Sequence, residues 1–330
     1  MFFIALFYFH LFASSNNFDT FMWVQIESMT SKETISNVIK FASENGYNNL
    51  LVQVRSRDNA AYNSKLVPKY STINSQFDPL EYIIEAGHKH NLNIHAWLNM
   101  YVSWSGKYNP PNNDHLINVN YAWRDRAFTS VNPTYTNHYI SPLHPDVNLY
   151  LLNIINEVCN NYNIDGIHLD YIRFKDGNYG NNKSGIKQFT DKFMVKKSLL
   201  SINDFTHNHK ENWNKYKRDK VTELVQKTYR LLYSKFENIK LSVAVKPNLL
   251  EAKERFSQDW VFWLKTGNYV ALRGFFLIIR NTPDPRLQDQ EDPTSNRSYL
   301  CFEHHWLLSS ENYILRSLNC VLSNVDSFVL

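Results

Sequence analysis

Little in this sequence suits a redox or nucleotide-binding protein. It has only three cysteines, Cys159, Cys301 and Cys320. None forms a C-x-x-C pair, so a zinc knuckle, a thioredoxin-type motif and a full disulfide framework are unsupported. Glycine is scarce, nine in 330 residues. No G-x-G-x-x-G follows the first strand-like run and no P-loop is present, so dinucleotide and nucleoside triphosphate sites lose their usual support. No cofactor and no resident metal are therefore expected. Charge of one sign is also lacking: 35 Lys and Arg against 31 Asp and Glu leave +4. With no basic run to suggest a nucleic-acid face, no nucleic-acid partner is expected.

Long hydrophobic runs are missing too, with one short exception. Met1 to Ala13 reads MFFIALFYFHLFA, too short to span a bilayer as a helix but of the length of a secretory h-region, about 7–15 residues. No Lys or Arg precedes it. Residues 1–15 are expected to be a signal peptide, and the protein to be secreted or held in the periplasm or cell envelope, with no stable membrane span.

What is present is a rhythm. Phe21 to Ile26, Asn49 to Val54, Asn93 to Met100, Ile164 to Phe174 and Ile239 to Val245 read as strands, and Tyr269 to Leu272 begins a sixth. Helical spacing fills the gaps. Ile35, Val38, Ile39 and Ala42 make one stripe between Thr30 and Asn45, ended by Gly46. Asp78-Pro79 opens a second helix as N-cap and first helical residue. Pro145 opens a third, reaching about Tyr162. A Lys-rich helical region runs from about Ser184 to Glu237, and Asp259 to Lys265 is a further helix. Between Ser103 and Ser141 lies a long polar and aromatic insertion. Strand and helix in alternation predict a parallel sheet with crossover helices, an α/β fold of (β/α)8 barrel type, which takes about 250 residues. The pattern places the barrel at 16–280. Residues 281–330 are polar, Pro-rich and then mixed, and show no further strand–helix units, so the barrel is expected to be irregular or incomplete there.

In such a barrel the chemistry lies at the carboxyl ends of the strands. The second strand ends at Arg55, Arg57 and Asp58; the third carries His95, Trp97 and Asn99; the fourth carries His168 and Asp170, then Arg173; the fifth ends before Asn248. Period-two geometry puts His95, Trp97 and Asn99 on one face, and His168 with Asp170 on one face. Asp170 is the leading catalytic carboxylate, held near a histidine and an arginine. Glycosidic hydrolysis usually needs a second carboxyl; Asp58, Glu27 and Glu251 are the candidates, Asp58 preferred. Arg55, Arg57, His95, Trp97, Asn99, His168, Arg173 and Asn248 are the expected substrate contacts. Tyr, Phe and Trp number 20, 21 and 8, and can serve either as core filler or as platforms for sugar rings.

Four ordered blocks carry a resemblance: Gly46 to Tyr62 (GYNNLLVQVRSRDNAAY), Asp78 to Asn99 (DPLEYIIEAGHKHNLNIHAWLN), Ile140 to Val147 (ISPLHPDV) and Tyr162 to Phe174 (YNIDGIHLDYIRF). Together they resemble the glycosyl hydrolase-like 10 family over about residues 20–272. The resemblance implies a TIM barrel, usually exported or envelope-anchored, acting on glycan chains and in some members on those of peptidoglycan. Arg55, Arg57, His95, Trp97, Asn99, His168, Asp170 and Arg173 fall on its motif positions. There are two departures. Where the family reads Arg-Gly-Asp-Ala this chain has Arg57-Asp58-Asn59-Ala60, and where its sixth strand runs into Met-Asn-Tyr this chain has Arg273-Gly274-Phe275-Phe276. Two other readings stand beside the glycosidase: a metal-dependent hydrolase ligating zinc through His95, His168 and Asp170, and a carbohydrate-binding barrel without catalysis.

Overall fold

Each strand of the computed structural model that opens a strand–helix unit pairs in parallel with the strand before it, because the intervening helix returns the chain to the same end of the sheet. The structure describes residues 19–106, 108–129, 137–195, 209–265, 275–279 and 306–309. The sheet runs in the order β1 (Phe21–Val24), β2 (Asn49–Ser56), β4 (Asn93–Asn99), β7 (Gly166–Asp170), β8 (Lys240–Val245), β9 (Phe275–Ile279) and β10 (Trp306–Ser309), with the two-residue β3 (Asn59–Ala60) turned back on β2. All neighbours from β1 to β9 are parallel. This is a curled sheet of (β/α)-barrel type, as the sequence predicts. β10 is antiparallel to β9, so at this edge the ladder departs from an all-parallel barrel. The expected strand start at Tyr269–Leu272 and the expected signal peptide at 1–15 lie outside the described residues.

The helices begin where their caps dictate. The first helix, α1 (Lys32–Glu44), starts at a capping box in which Ser31 Oγ accepts from Thr34 N and Thr34 Oγ1 accepts from Ser31 N, both 3.2 Å. It ends before Gly46, whose φ of 73° suits a residue without a Cβ. At α2 (Pro79–His88) the Asp78 carboxylate accepts from Glu81 N at 3.2 Å. The third predicted helix starts at Val147, two residues after Pro145, as α4 (Val147–Asn161). The Lys-rich region divides into α5 (Lys183–Phe193) and α6 (Lys210–Lys235). Two short helices follow β8, α7 (Leu249–Glu254) and α8 (Trp260–Lys265). No helix among the described residues is long and apolar enough to cross a membrane.

Alternation along the strands sorts the core into two layers. Leu50, Val52 and Val54, Ile94, Ala96 and Leu98, Ile167 and Leu169, and Leu241, Val243 and Val245 pack outward beneath the helices in the main core. The opposite face turns inward, where Leu51 and Trp97 pack with Phe21 and Trp23 in a separate cluster. His95, Asn99, His168, Asp170 and Ser242 share that inner face and are all buried. At its base the His95 ring faces Asn49 Oδ1 at 3.2 Å and the edge of Phe21 at 5.6 Å between centroids. Burial pushes its pKa down to about 4, with Lys240 acting in the same direction, so it is neutral at pH 7.

The long insertion is built on the carboxyl end of β4. Its strands β5 (Val102–Ser105) and β6 (Asn137–Tyr139) form an antiparallel pair, and between them come α3 (Leu116–Val119) and a tight turn at Tyr121–Trp123. Residues 124–128 then cross from β6 to the loop after β7. Asp125 N donates to Tyr139 O at 2.8 Å, Gly180 N and Asn181 N donate to Arg126 O at 3.2 and 3.0 Å, and Phe128 N donates to Asn178 O at 3.0 Å. The segment is thus a strap tying the β4 end to the β7 end.

Opposite His95 in register stands Gly166. A Cβ there would overlap the His95 ring, and that ring is enclosed on all sides. Gly166→Ala is therefore expected to lower unfolding stability by about 1–3 kcal/mol, the range for overpacking. Adding His95→Ala should recover part of that loss. Urea unfolding of both variants checks this; a Gly166→Ala protein as stable as the parent would show the ring is not fixed there.

Candidate active site

Asp170 is the last residue of β7, level with Asn99 at the end of β4, and one step below them Trp97 stands level with His168. This quartet forms the mouth of the inner face. Two backbone contacts hold the strand ends together past Asp170: Met100 N donates to Asp170 O at 2.8 Å and Tyr101 N to Tyr171 O at 3.3 Å. Asp170 Oδ1 accepts from Tyr171 N at 2.6 Å. Tyr171 itself is left-handed, φ 51°, a conformation a bulky residue adopts only where its surroundings impose it. Strain, then, sits beside the candidate carboxylate. Trp97 Nε1 and Asn99 Oδ1 are buried and have no hydrogen-bond partner among the described residues. A buried donor and a buried acceptor left open beside a carboxylate mark a place where a ligand would satisfy them.

His168 lies under this mouth as a support. It is fully buried, its Nδ1 is 2.8 Å from Ser242 Oγ, and the Trp23 ring meets it edge-on at 4.8 Å. Because the Ser242 hydroxyl donates to Ile167 O at 3.4 Å, we assign the imidazole proton to Nδ1. Arg173 lies at the rim with its guanidinium 5.1 Å from the ring centres of both Tyr171 and Phe256.

The insertion adds two groups that sequence reasoning missed. Tyr139 of β6 is buried with its ring 6.4 Å from that of Tyr171. Burial raises its phenol, and Arg173 pulls it down while Asp170 pushes it up, so it lies within the field of both. Asp125, in the strap, is a buried carboxyl whose Oδ1 accepts from Ser141 Oγ at 3.2 Å. Burial pushes it up to about 7, against the opposing pull of Lys217. Lys217 is buried too. It donates to Gly177 O at 2.9 Å and Tyr179 O at 3.1 Å, and burial brings it down to about 8. The only signal available in sequence was an Asp and a Tyr among polar residues, with partners some 15 to 90 positions away.

The comparisons fit this architecture. A model of the glycosyl hydrolase-like 10 family matches residues 14–290. The chain belongs to the glycosyl hydrolase-like 10 family. It is similar to glycosyl hydrolase YngK of Bacillus subtilis, 29% identical over 160 residues, 45% of this chain and 30% of the relative. To glycosyl hydrolase DigH of Escherichia coli K12 it is 28% identical over 138 residues, 38% of this chain and 30% of that protein. The stretches matched thus span less than a third of either relative. Among solved structures, the glycoside hydrolase domain of PgaB (BpsB) from Bordetella bronchiseptica superposes with a TM-score of 0.54 at 12% identity, over 75% of this chain and 71% of that one, a likeness of fold.

Within the glycosyl hydrolase-like 10 blocks the structure separates residues that the sequence grouped. Arg55 and Asp58 do not face the mouth. Both are fully buried and paired with one another, and Arg55 also donates to the carbonyls of Asn99 and Met100. Asp58 accepts further from Ser103 Oγ at 3.1 Å and Tyr150 OH at 3.4 Å. The expectation that Asp58 is the second catalytic carboxyl is corrected by this geometry, because its oxygens are fully buried and occupied. Arg57 and Asp58 form the two-residue turn between β2 and β3 with φ 49° and 60°, the positive pair such a hairpin requires. The family glycine falls on Asp58, so this chain keeps the turn with an aspartate in the left-handed position. The Arg57 side chain is exposed on that turn.

Four further expected residues lie elsewhere. Asn248 caps α7, accepting from Glu251 N at 2.9 Å. Glu251 pairs with Arg255 at 2.8 Å, and the exposed Glu27 accepts from Tyr70 OH at 3.3 Å. His95 lies at the base of the inner face, below Trp97 and Asn99, so it does not join His168 and Asp170. Among the described residues no three His, Cys, Asp or Glu side chains converge as a metal site.

Two outcomes are expected. Asp58→Ala leaves a buried guanidinium without its counter-charge and should cost about 3–5 kcal/mol of stability, read by chemical denaturation; an unchanged midpoint would return Asp58 to the candidate catalytic set. Asp125 gives a pH dependence. Its folded value of about 7 lies above its ordinary 3.8, so its contribution is full in acid and is lost as pH rises through that window. Lys217, brought to about 8 from 10.5, contributes at high pH and loses this as pH falls. Stability should therefore dip between pH 7 and 8, and Asp125→Asn should flatten the decline between pH 4 and 7. Denaturation curves across that range test it, and an unaltered slope in the variant would contradict it.

Proposed function

We propose that this protein is a glycosidase in which Asp170 is the catalytic carboxylate, acting on a polysaccharide or a peptidoglycan glycan. The observation that carries the reading is the grouping at the strand ends: a carboxylate beside the open Trp97 Nε1 and Asn99 Oδ1, next to a strained Tyr171. Trp97 supplies the apolar plane against which the C–H face of a sugar packs, and its N–H a donor to a hydroxyl. The Asn99 carbonyl oxygen accepts from a second hydroxyl. Asp170, held by the Tyr171 amide, serves as nucleophile or as base for water, the two roles a carboxylate takes in glycoside hydrolysis. Arg173 faces the negative charge at the rim, and His168 holds the Asp170 strand end from below. With the apolar run at Met1–Ala13 read as an export signal, the site of action is the cell envelope or the exterior.

A second reading is a glycan-binding barrel that does not turn over its ligand. It is favoured by one observation: Asp58, Glu27 and Glu251 all lie away from Asp170 or are engaged elsewhere.

Release of reducing ends from soluble polysaccharides and from isolated peptidoglycan strands separates the two readings. Asp170→Asn, which keeps the shape of the side chain, should melt like the parent and lose turnover by about a hundredfold or more, each tenfold being about 1.4 kcal/mol of barrier. Near-parental turnover in Asp170→Asn would remove Asp170 from its role. Glycan binding by the parent with no release of ends would establish the binding barrel instead.

A further inference from the structure

Three arginines off the strap are matched to acids. Arg55 is paired with Asp58, Arg218 with Glu254 at 3.3 Å and Arg255 with Asp176 at 2.7 Å. On the strap the arrangement differs. Tyr121 is 59% exposed, and the guanidinium carbons of Arg124 and Arg126 both stand 4.7 Å from the centre of its ring. Neither arginine has a carboxylate within ion-pair distance among the described residues.

The two cations are built in. Arg124 Nε and Nη2 donate to Ile117 O at 3.3 and 3.1 Å, and Nη2 donates to Asn109 Oδ1 at 3.1 Å. Those bonds fix the guanidinium against the ring. The Arg126 side chain is exposed, but its backbone is held by the two amides of Gly180 and Asn181. Like charges on one ring repel. Burial lowers the Arg124 pKa, the Tyr121 phenol acts against that, and Arg126 lowers it further. Attraction to the ring offsets part of this repulsion. An anion drawn to the pair of guanidiniums would offset the rest, and the planar guanidinium suits a carboxylate through paired N–H donors.

The position matters as much as the charge. Arg124 bridges to Ile140, and Asp125 N is bonded to Tyr139 O. Tyr139 lies within the field of Asp170. The cluster therefore stands at the same end of the sheet as the candidate centre, one strand of the strap away.

We propose that Tyr121, Arg124 and Arg126 form an anion-binding subsite that takes the carboxylate of an acidic sugar in a glycan reaching Asp170. The exposed Tyr121 face packs against the sugar ring while the guanidiniums take its carboxylate. The subsite rests on the glycan-directed reading given above, and it selects among glycans by charge.

The test uses the full chain carrying Asp170→Asn, so that nothing is cleaved, with oligogalacturonate and its fully methyl-esterified form as probes. The two probes share a sugar and differ in charge. Calorimetric titration at low salt should give at least tenfold tighter binding of the acid than of the ester, with the gap closing as salt is added. Arg126→Gln, an exposed change, should melt like its parent and bind both forms equally; Arg124→Gln should do the same. Equal binding of the two probes before substitution, no binding of either, or a preference that survives Arg126→Gln overturns the proposal. Turnover by the Asp170 protein is measured separately, so loss of the glycosidase reading and loss of the subsite show as different results.

Discussion

The buried guanidinium of Arg55 is the interaction on which the working end of the barrel depends. Removing a guanidinium from water is costly, and burial works against its charge more than any other single influence; Asp58, Tyr150 and Tyr62 together more than offset this. Once paired, it fixes three things at once. It holds the β2–β3 turn, whose two residues are both left-handed. It clamps the Asn99 and Met100 carbonyls, so that the end of β4 cannot drift from β2. By fixing the Asn99 backbone it sets the height of Asn99 against Asp170 across the next ladder. Arg55, fully buried, reaches the mouth only through the backbone of Asn99 and Met100.

The same economy of position explains why the inner face can be polar. His95, His168 and Ser242 are all fully buried, yet each is placed where a neighbour of the right chemistry stands level with it: Asn49 below His95, Ser242 beside His168. Space is balanced along with hydrogen bonding. The His95 ring fits because Gly166, level with it on β7, has no side chain. Aromatic edges from Phe21 and Trp23 then close the remaining gaps. At the base each polar ring thus has a polar neighbour level with it, and nearer the mouth Trp97 Nε1 and Asn99 Oδ1 have no hydrogen-bond partner among the described residues.

How far the sequence could be read follows from these distances. Period-two alternation showed that His95, Trp97 and Asn99 share a face, and they do. It could not show depth, so a core histidine and two mouth residues were grouped as one row. Caps were legible because they are local: Asp78 with Glu81, Ser31 with Thr34. Asp58 departs from the expectation because proximity to a strand end says nothing about partners, and in the turn with two positive φ values its carboxylate pairs with Arg55. Tyr139 and Asp125 were illegible because their significance lies in partners far along the chain, Tyr171 for one and Lys217 for the other. The antiparallel turn-back of β10 has no local signature either, since direction is decided by the connection and not by the strand.

Charge is laid out in two zones at this end of the molecule, and their difference has a physical reason. At the centre stands a carboxylate, Asp170. Around it Arg173, Arg124 and Arg126 are held by ring faces: Tyr171 and Phe256 for the first, Tyr121 for the other two. A guanidinium paired with a carboxylate has its charge cancelled, and an incoming anion gains little from it. A ring holds the same guanidinium in place through its quadrupole and leaves its net charge intact. Stacking therefore preorganises the cation without neutralising it, so the rotamer entropy of a long side chain is lost before a ligand arrives. The outer zone attracts anionic groups over about a Debye length, roughly 8–10 Å at ordinary ionic strength, while Asp170 repels them from the centre. A glycan carrying charge at intervals would be drawn to register with its anionic units on the strap and an uncharged linkage over Asp170. Selection by the proposed subsite would be electrostatic in origin, following from three arginines being stacked on aromatic rings where paired ones would have been neutral.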